Sequence, residues 1–230
     1  MARIIQYLAG MSNGFFIIDN GTIAIDTGSD YNDDTFLDVC KENGIDPKVI
    51  SLIIITHGHV DHFINAERMR VETGAPILCH KEAESSMVNG LEPYVLGRTE
   101  EGSTILERQA IEGPPCEYIP KVVPDIVWEG NEFDLSSWGV QGKIIHTPGH
   151  SKCSTAIFLE SGDVFVGDTI LEQPDTQKGG LPYFTYSIGN DDEIFSSVEK
   201  ILDKAKVIYS GHGGPFTKEE IIKAINLEKS

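Results

Sequence analysis

Residues 56–62 of the chain read Thr-His-Gly-His-Val-Asp-His, which places three imidazoles and one carboxylate within a few consecutive positions. Histidine nitrogens and carboxylate oxygens are the usual protein ligands of zinc and iron. Alternate residues of an extended turn share a face, so the spacing predicts that His57 and His59 point to the same side. Asp61 and His62, at the start of the next predicted helix, then face another part of the same pocket.

Three further candidate ligands occur far along the chain, each just after a predicted strand. They are His150 after an apolar run ending at 146, Asp168 after one ending at 167, and His212 after one ending at 210. His57 has the same position after the run 52–56. Glycine-rich loops at strand ends let backbones approach a shared ion. The sequence therefore predicts one metal pocket assembled from four strand ends.

The remaining apolar patterns predict strands that alternate with helices. Strands are predicted at 4–8, 15–19, 22–26, 52–56, 76–79, 126–128, 133–135, 140–146, 154–159, 164–167 and 207–210. Helices are predicted at 33–43 and 62–72, and from two capping-box patterns, Asn190 with Glu193 and Thr217 with Glu220. Two successive halves, each beginning with strands, indicate two sheets sandwiched between helices.

Two local signals refine that outline. Asn20-Gly21 between apolar runs predicts a hairpin turn, and the continuous apolar run 52–56 is typical of a strand buried on both faces. Residues 81–125 are the least readable part, with a weak helical pattern in places, and Gly113-Pro114-Pro115 predicts a loop there.

Length and charge limit the class of protein. A chain of 230 residues suits one domain, 1–230. Its 36 acidic and 18 basic residues give a formal charge of -18, which repels polyanions. We therefore expect a small-molecule substrate, with neither nucleic acid nor a membrane surface as a partner.

The four cysteines are Cys40, Cys79, Cys116 and Cys153, and their spacing forms no C-x-x-C pair. They are predicted to be buried free thiols. The first residues lack the apolar segment of a signal peptide, and no apolar run approaches the ~20 residues that span a bilayer. A cytoplasmic location is the resulting expectation.

Four sequence features follow one another along the chain: the H-x-H-x-D-H motif of residues 57–62, His150, Gly167-Asp168 and Gly211-His212. In their kind and order the chain resembles the metallo-β-lactamase superfamily. The resemblance implies an α/β fold, specifically a four-layer αββα sandwich. Glyoxalase II-like thioester hydrolases and lactonases share this set of ligands. The chain departs from the Asp-His-x-Gly-Gly run common in glyoxalase II, because Phe63-Ile64-Asn65-Ala66 follows His62.

The resemblance also implies a division of the ligands between two divalent ions, with zinc foremost and iron or manganese as alternatives. His57, His59 and His150 would hold the first ion, Asp61, His62 and His212 the second, and Asp168 would bridge them. Asp26 would brace the metal histidines from outside. A carboxylate held next to cations stays ionised, so Asp61 is the candidate to orient the nucleophile and carry a proton to the leaving group.

The expected reaction is hydrolysis of a small ester, thioester or lactone by a bridging hydroxide. Two alternatives remain: a persulfide dioxygenase, whose single iron would be held by His57, His150 and Asp168, and a metal-binding module without catalytic activity.

Three more side chains are candidates for substrate contact. They are His80, just after a predicted strand, and Tyr183 and Tyr186, in the loop 179–189 that follows Asp168. For each of them, and for His146, the competing interpretation is ordinary packing or a structural hydrogen bond. Cys153, near His150, is expected to be a buried thiol rather than a ligand.

Overall fold

Two six-stranded sheets form the centre of the fold. The computed structural model describes residues 2–31, 34–98, 100, 102–104, 107, 119–172, 182–184 and 186–228. The strands in this part of the chain are β1 (Arg3–Ala9), β2 (Ser12–Ile18), β3 (Thr22–Ile25), β4 (Ile50–Ile54), β5 (Ile77–His80), β6 (Leu96–Gly97), β7 (Ile126–Trp128), β8 (Glu132–Asp134), β9 (Gly142–His146), β10 (Thr155–Leu159), β11 (Asp163–Phe165), β12 (Leu171–Glu172), β13 (Pro182–Tyr183), β14 (Tyr186–Ser187), β15 (Val207–Tyr209) and β16 (Phe216–Thr217). The α-helices described are α1 (Thr35–Glu42), α2 (Val60–Phe63), α3 (Ala66–Thr73), α4 (Lys81–Asn89), α5 (Asp191–Lys204) and α6 (Lys218–Glu228).

The first sheet has the strand order β1-β2-β3-β4-β5-β7, and the second has the order β16-β15-β11-β10-β9-β8. In the first sheet β1, β2 and β3 are antiparallel neighbours, whereas β3, β4, β5 and β7 run parallel. In the second sheet β9 and β11 are both antiparallel to β10, and β15 is parallel to β11. Strands β9, β11 and β15 therefore end at the same edge, which brings the loops that follow them together.

Alternating side chains divide the apolar residues into three layers. Phe15 and Ile17 of β2 pack between the sheets with Ile157 of β10. Phe16, which points the opposite way, packs with residues of α1, and Phe158 packs with residues of α5 on the far side of the second sheet. This is the αββα sandwich, with one helical layer outside each sheet.

The strand predictions agree closely with the structure. β7 has the predicted limits, and β4 is buried on both faces, as its continuous apolar run indicates. The Asn20-Gly21 turn joins β2 to β3, and the capping box at Thr217 is formed, with the Glu220 carboxylate accepting from the Thr217 amide at 2.7 Å. Asp33, at the predicted start of α1, and Gly113-Pro114-Pro115, where a loop is predicted, lie outside the described residues.

The prediction of a single helix over 62–72 was wrong, because the segment forms two helices, α2 and α3. The carbonyl groups that would continue α2 accept hydrogen bonds from elsewhere. Ser12 Oγ donates to the Asp61 carbonyl at 2.6 Å, and Thr27 donates to the His62 carbonyl from its amide at 2.9 Å and its hydroxyl at 3.0 Å. The Asn65 amide donates to Thr27 Oγ1 at 3.1 Å. Tertiary contacts thus end the helix directly after the ligand pair.

Two smaller predictions also need correction. Asn190 precedes α5, but its side chain makes no capping hydrogen bond, so the capping box with Glu193 is not formed. Within the segment 81–125, where the sequence has only a weak helical pattern, α4 is a regular helix whose limits that pattern does not give. His80 caps it, since its Nδ1 accepts from the Glu82 amide at 3.3 Å. Histidine is not among the preferred N-cap residues, which explains why the start was missed.

Across the described residues, no helix combines the length and the apolar character needed to cross a membrane.

Candidate metal centre

Loops at the carboxyl ends of four strands supply the candidate ligands. His57 and His59 follow β4, and α2 adds Asp61 and His62. The loops after β9, β11 and β15 carry the other three, His150, Asp168 and His212. Strand direction alone therefore collects residues that are more than 150 positions apart in the sequence.

The seven candidate ligands form two groups that share Asp168. In each group the candidate ligand atoms all lie within 4.8 Å of one another. The groups are His57, His59, His150 and Asp168, and Asp61, His62, Asp168 and His212. This division is the one that the family resemblance implies.

In the first group, three ring nitrogens face one another. Nδ1 of His59 lies 2.9 Å from Nε2 of His57 and 3.1 Å from Nε2 of His150. Asp168 Oδ2 lies 3.9 Å from the His57 nitrogen and 4.0 Å from the His150 nitrogen. Ligands about 2.0 Å from a tetrahedral zinc ion stand roughly 3.3 Å apart, so these separations are compatible with such an ion.

In the second group the ligand atoms are separated by similar distances. His212 Nε2 lies 3.0 Å from Asp61 Oδ2 and 3.4 Å from Asp168 Oδ2. His62 Nε2 lies 3.5 Å from Asp61 Oδ2 and 3.2 Å from Asp168 Oδ1. The two Asp168 oxygens together reach ligand nitrogens of both groups, as a bridging carboxylate requires.

Four of the five histidines have one nitrogen held by an oxygen outside the centre, which leaves the other directed inward. The bracing contacts are His57 Nδ1 to Thr56 Oγ1 at 3.0 Å, His59 Nε2 to the Pro93 carbonyl at 3.2 Å, His62 Nδ1 to Asp26 Oδ2 at 2.8 Å and His212 Nδ1 to the Met11 carbonyl at 2.8 Å. Such partners fix the tautomer and the ring orientation of metal-binding imidazoles.

Asp26 connects these braces. Its carboxylate accepts from the amide and the hydroxyl of Thr56, each at 2.8 Å, and from His62. The Thr56 hydroxyl donates to Asp26 and is thereby left to accept from His57. One buried carboxylate therefore orients a histidine of each group.

Burial and neighbouring charges shift the ligand pKa values in opposite directions in the two groups. Burial and the adjacent imidazoles lower the pKa of His150 to about 3 and that of His57 well below its usual range. For His212, burial opposes protonation, but the Asp168 and Asp61 carboxylates outweigh it and raise the pKa to about 10. His57 and His150 thus present neutral lone pairs, and His212 holds a proton where a cation would bind.

Buried atoms without hydrogen-bond partners test whether a metal fits. His62 Nε2 and Asp168 Oδ1 are both buried, and neither has a hydrogen-bond partner, although they face each other at 3.2 Å. Leaving such atoms unpaired costs roughly 1–3 kcal/mol each. A cation accepting both lone pairs removes that cost, so the donor set fits a metal ion better than it fits a purely hydrogen-bonded core.

Gly211 is required for the approach of the last loop. A Cβ at this position would collide with Asp168 Oδ1 and would lie 2.7 Å from the His62 ring. The residue before His212 therefore has to lack a side chain for the β15 loop to reach the other ligands.

His80 lies in a histidine pair, and within the described part of the chain no hydrogen bond or ring contact joins it to the ligand groups. Its ring stacks on His146, with centroids 4.0 Å apart, and its Nε2 donates to the Gly130 carbonyl at 3.4 Å. His146 is held by the Lys152 carbonyl at 2.7 Å. These contacts and the cap of α4 account for His80 structurally, while substrate contact stays a prediction.

The two tyrosines differ in their position. The Tyr186 ring lies 6.3 Å from the His150 ring, whereas Tyr183 pairs with Leu171 in a short two-stranded sheet. Residues 173–181 and 185 of the surrounding loop lie outside the described part of the chain. Tyr186 is therefore the tyrosine placed beside the centre.

The cysteine predictions hold where they can be assessed. Cys40, Cys79 and Cys153 are buried and free, and Cys116 lies outside the described residues. Cys153 Sγ accepts from the Gly58 amide at 3.2 Å, behind the turn that carries His57 and His59. It supports the turn and belongs to neither ligand group.

Sequence reasoning missed several supporting residues, among them Thr56, Met11, Glu92 and Pro93. Met11 and Pro93 act through backbone carbonyls, which any residue could supply, so their identity carries no signal. Glu92 accepts from the Val60 amide at 3.1 Å. It lies in the segment 81–125, where the sequence shows only a weak helical pattern in places.

Comparison with known proteins gives the same class. The family model described as metallo-beta-lactamase superfamily matches residues 7–212. A probable metallo-hydrolase of Methanocaldococcus jannaschii is 30% identical over 206 residues, which cover 88% of this chain and 87% of that protein. The B3 metallo-beta-lactamase BLEG-1 has a TM-score of 0.70 at 19% identity, with 96% and 97% of the two chains covered. A protein solved in a di-iron-bound form has a TM-score of 0.61 at 19% identity, with 93% of each chain covered.

An αββα sandwich with clustered histidine and aspartate ligands at one edge of its sheets defines a class of metal-binding proteins that is largely hydrolytic. The chain belongs to the metallo-beta-lactamase superfamily.

Proposed function

We propose that the protein is a dinuclear metal-dependent hydrolase acting on a small ester, thioester or lactone. The observation that carries the proposal is the sharing of Asp168 between two complete ligand groups. Each group offers three ligands of its own, so open coordination positions remain for water and substrate, as in catalytic rather than structural sites.

His57, His59, His150 and Asp168 would hold one ion, and Asp61, His62, His212 and Asp168 the other. Two divalent ions in these positions, with zinc as our first choice and iron or manganese as alternatives, would supply an activated water and a Lewis acid for the carbonyl under attack. The remaining contributions come from the protein. Asp26 and its partners hold the histidines in one tautomer and thereby preserve the spacing of the two groups.

Asp61 is the group best placed to move a proton. Its side chain is 26% exposed, compared with 8% for Asp168, so it is the carboxylate of the centre that a substrate can reach. Its contact with His212 at 3.0 Å keeps Oδ2 at the second group. The surrounding imidazoles hold the pKa of Asp61 well below its usual range against the opposing effect of burial, so that it acts as an ionised acceptor.

The proposal is tested by metal analysis together with hydrolase screening. We expect two ions per chain and turnover of at least one member of a panel of lactones, thioesters and uncharged esters. Asp61→Asn should lower kcat by about 100-fold or more, in the range of general acid–base effects, at matched metal content. Asp203→Asn, an exposed acid on α5, is the matched control and should leave kcat unchanged.

Two results would overturn the proposal. One iron per chain, with oxygen uptake in the presence of a persulfide, would indicate the dioxygenase. Two bound ions with no turnover across the panel, or turnover that Asp61→Asn does not alter, would indicate a metal-binding module.

A further inference from the structure

We propose that the centre selects uncharged and cationic substrates against anionic ones, and that the carboxylates of Glu92 and Glu172 impose this selection. The inference rests on the proposed hydrolase function and names the substrate class of that site. It follows from the position of the two acids and from the pairing of the nearby cations.

Glu92 is fixed beside the first ligand turn. Its Oε1 accepts from the amide of Val60, the residue between His59 and Asp61, at 3.1 Å. The next residue, Pro93, accepts from His59 Nε2 at 3.2 Å. Glu92 is exposed as a residue. Burial of its carboxyl group raises the pKa of Glu92, and the nearby Asp61 adds to this shift while His59 opposes it. The carboxylate is therefore anchored at the centre while remaining accessible from solvent.

Glu172 has the corresponding position beside the second group. Its amide donates to the His212 carbonyl at 2.9 Å. Its side chain lies against Gly213, where a Cβ would collide with both the carboxylate and the Glu172 Cβ. Glu172 is also exposed. Each ligand group thus has an exposed carboxylate attached directly to one of its loops.

Among the described basic side chains near these loops, few are free to neutralise the negative charges of Glu92 and Glu172. Arg98 is 6% exposed and is paired with Asp191 at 2.8 Å and Glu228 at 2.6 Å. Lys81 is paired with Glu84. Lys152, two residues after His150, is exposed and has no ion pair among those found in the described residues, so it is the competing charge that the experiment must assess.

The two carboxylates would offset the positive charge that metal ions introduce around Asp61 and Asp168. The chain as a whole carries a formal charge of -18, which adds to the repulsion of anions. A unit charge about 7 Å from a substrate charge, in a partly screened medium, changes binding by roughly fivefold. We therefore expect the carboxylates of Glu92 and Glu172 to make the centre discriminate between substrates of equal size and different charge.

The test uses three 4-nitrophenyl esters of similar length at pH 8 and low salt: the hydrogen adipate, which is anionic, its methyl ester, which is uncharged, and the 6-aminohexanoate, which is cationic. For the zinc-loaded wild-type protein, kcat/KM for the anionic ester should be at least fivefold below that for the uncharged ester. Added salt should reduce the difference. In the double variant Glu92→Gln/Glu172→Gln, the ratio of kcat/KM for the anionic ester to kcat/KM for the uncharged ester should rise by fivefold or more.

Glutamine keeps the side-chain oxygen that accepts from Val60, so the substitution at Glu92 removes charge without removing the anchor. Asp203→Asn, which removes an exposed acid of α5, is the charge control and should leave the ratio unchanged. Equal kcat/KM for the anionic and uncharged esters, or an unaltered ratio in the double variant, would overturn the proposal. A larger change in Lys152→Gln than in Glu92→Gln would do the same, because it would assign the selection to the lysine.

A second readout does not depend on turnover. The rate of zinc removal by the anionic chelator dipicolinate should rise more in the double variant than the rate of removal by uncharged 1,10-phenanthroline. If no ester is hydrolysed but the chelator rates change in this way, the hydrolase proposal for esters fails and the charge selection stands. If the esters are hydrolysed and neither ratio changes, the charge selection fails alone.

Discussion

Oδ2 of Asp26 lies 2.8 Å from Nδ1 of His62, and Asp26 adopts a left-handed backbone conformation, with φ of 55°, to place its carboxylate there. Residues other than glycine occupy this region rarely, with aspartate and asparagine among the more frequent exceptions. Among the described residues, Asp26 is the non-glycine residue with positive φ. The backbone at this position is adapted to the brace of the metal centre.

We expect Asp26→Asn to weaken metal binding by about 10- to 100-fold, as is typical for partners of metal-binding histidines. Asparagine tolerates the same backbone conformation and can still accept from the Thr56 amide, but it lacks the negative charge that faces His62. Zinc affinity is measured by competition with a chromophoric chelator, with thermal unfolding of the metal-free protein as the check on folding. An affinity equal to that of the wild type would show that Asp26 only supports the fold.

The division of ligands predicts different metal contents for single variants. His150→Ala and His212→Ala should each reduce the content from two ions to about one per chain, because each removes a ligand of one group. Asp168→Ala should lower the occupancy of both sites, since its oxygens face His57 of the first group and His62 of the second. Plasma emission analysis after dialysis measures the content. Loss of only one ion in Asp168→Ala would contradict the bridging role.

Metal affinity should depend on pH through His212. Its pKa of about 10 in the metal-free protein lies above its ordinary value of 6.5, so the proton stabilises the metal-free fold below about pH 6.5, and this contribution is lost as the pH rises through 10. A cation must displace that proton at neutral pH. Affinity should therefore increase by about tenfold per pH unit between pH 7 and 9 for each proton released.

Titration of zinc in buffers of different ionisation enthalpy measures the protons released on binding. His212→Asn should release about one proton fewer than the wild type at pH 7.5. An identical proton release in the two proteins would place the titrating group elsewhere.

Arg98, directly after β6, is predicted to fasten this strand to α5 and α6. Its guanidinium donates to Asp191, Glu228 and the Phe184 carbonyl, and it lies 5.0 Å from the centre of the Phe195 ring. We expect Arg98→Ala to lower the free energy of unfolding by about 2 kcal/mol, less than for a fully buried pair because both acids are partly exposed. Arg98→Lys should recover only part of this, since an ammonium cannot form the paired contacts.

Urea unfolding measures both Arg98 variants. Lys143→Ala provides the matched control, since its pair with Glu132 is exposed on both sides and should contribute at most about 1 kcal/mol. If Arg98→Ala lowers the free energy of unfolding no more than this control does, the guanidinium does not fasten β6 to α5 and α6.

The sequence predicts the positions of the strands and the identity of the candidate ligands because both depend on local features of the chain. Apolar runs such as 52–56 are long enough to specify buried strands, and β7 was predicted to the residue. Histidine and aspartate at a spacing like that of 57–62 have few uses other than metal binding, so local composition was sufficient.

Residues that act through backbone groups or distant partners could not be predicted in this way. The break between α2 and α3 depends on hydrogen bonds from Ser12 and Thr27 to the carbonyls of Asp61 and His62. These donors are distant in sequence, so the local pattern of 62–72 cannot indicate them. The brace of His212 by the Met11 carbonyl is likewise independent of the side chain at position 11.

The sequence by itself thus identified which side chains could hold a metal ion, because ligand type and spacing are local properties. Only the tertiary structure decided which nitrogen of His57, His62 and His212 faces inward, because that choice depends on the oxygen that meets the opposite side of the ring. The tertiary structure also decided which charged side chains lie around the centre. Glu92 is one of 36 acids in the sequence, and it becomes part of the site only because the chain after α4 returns to the Val60 amide.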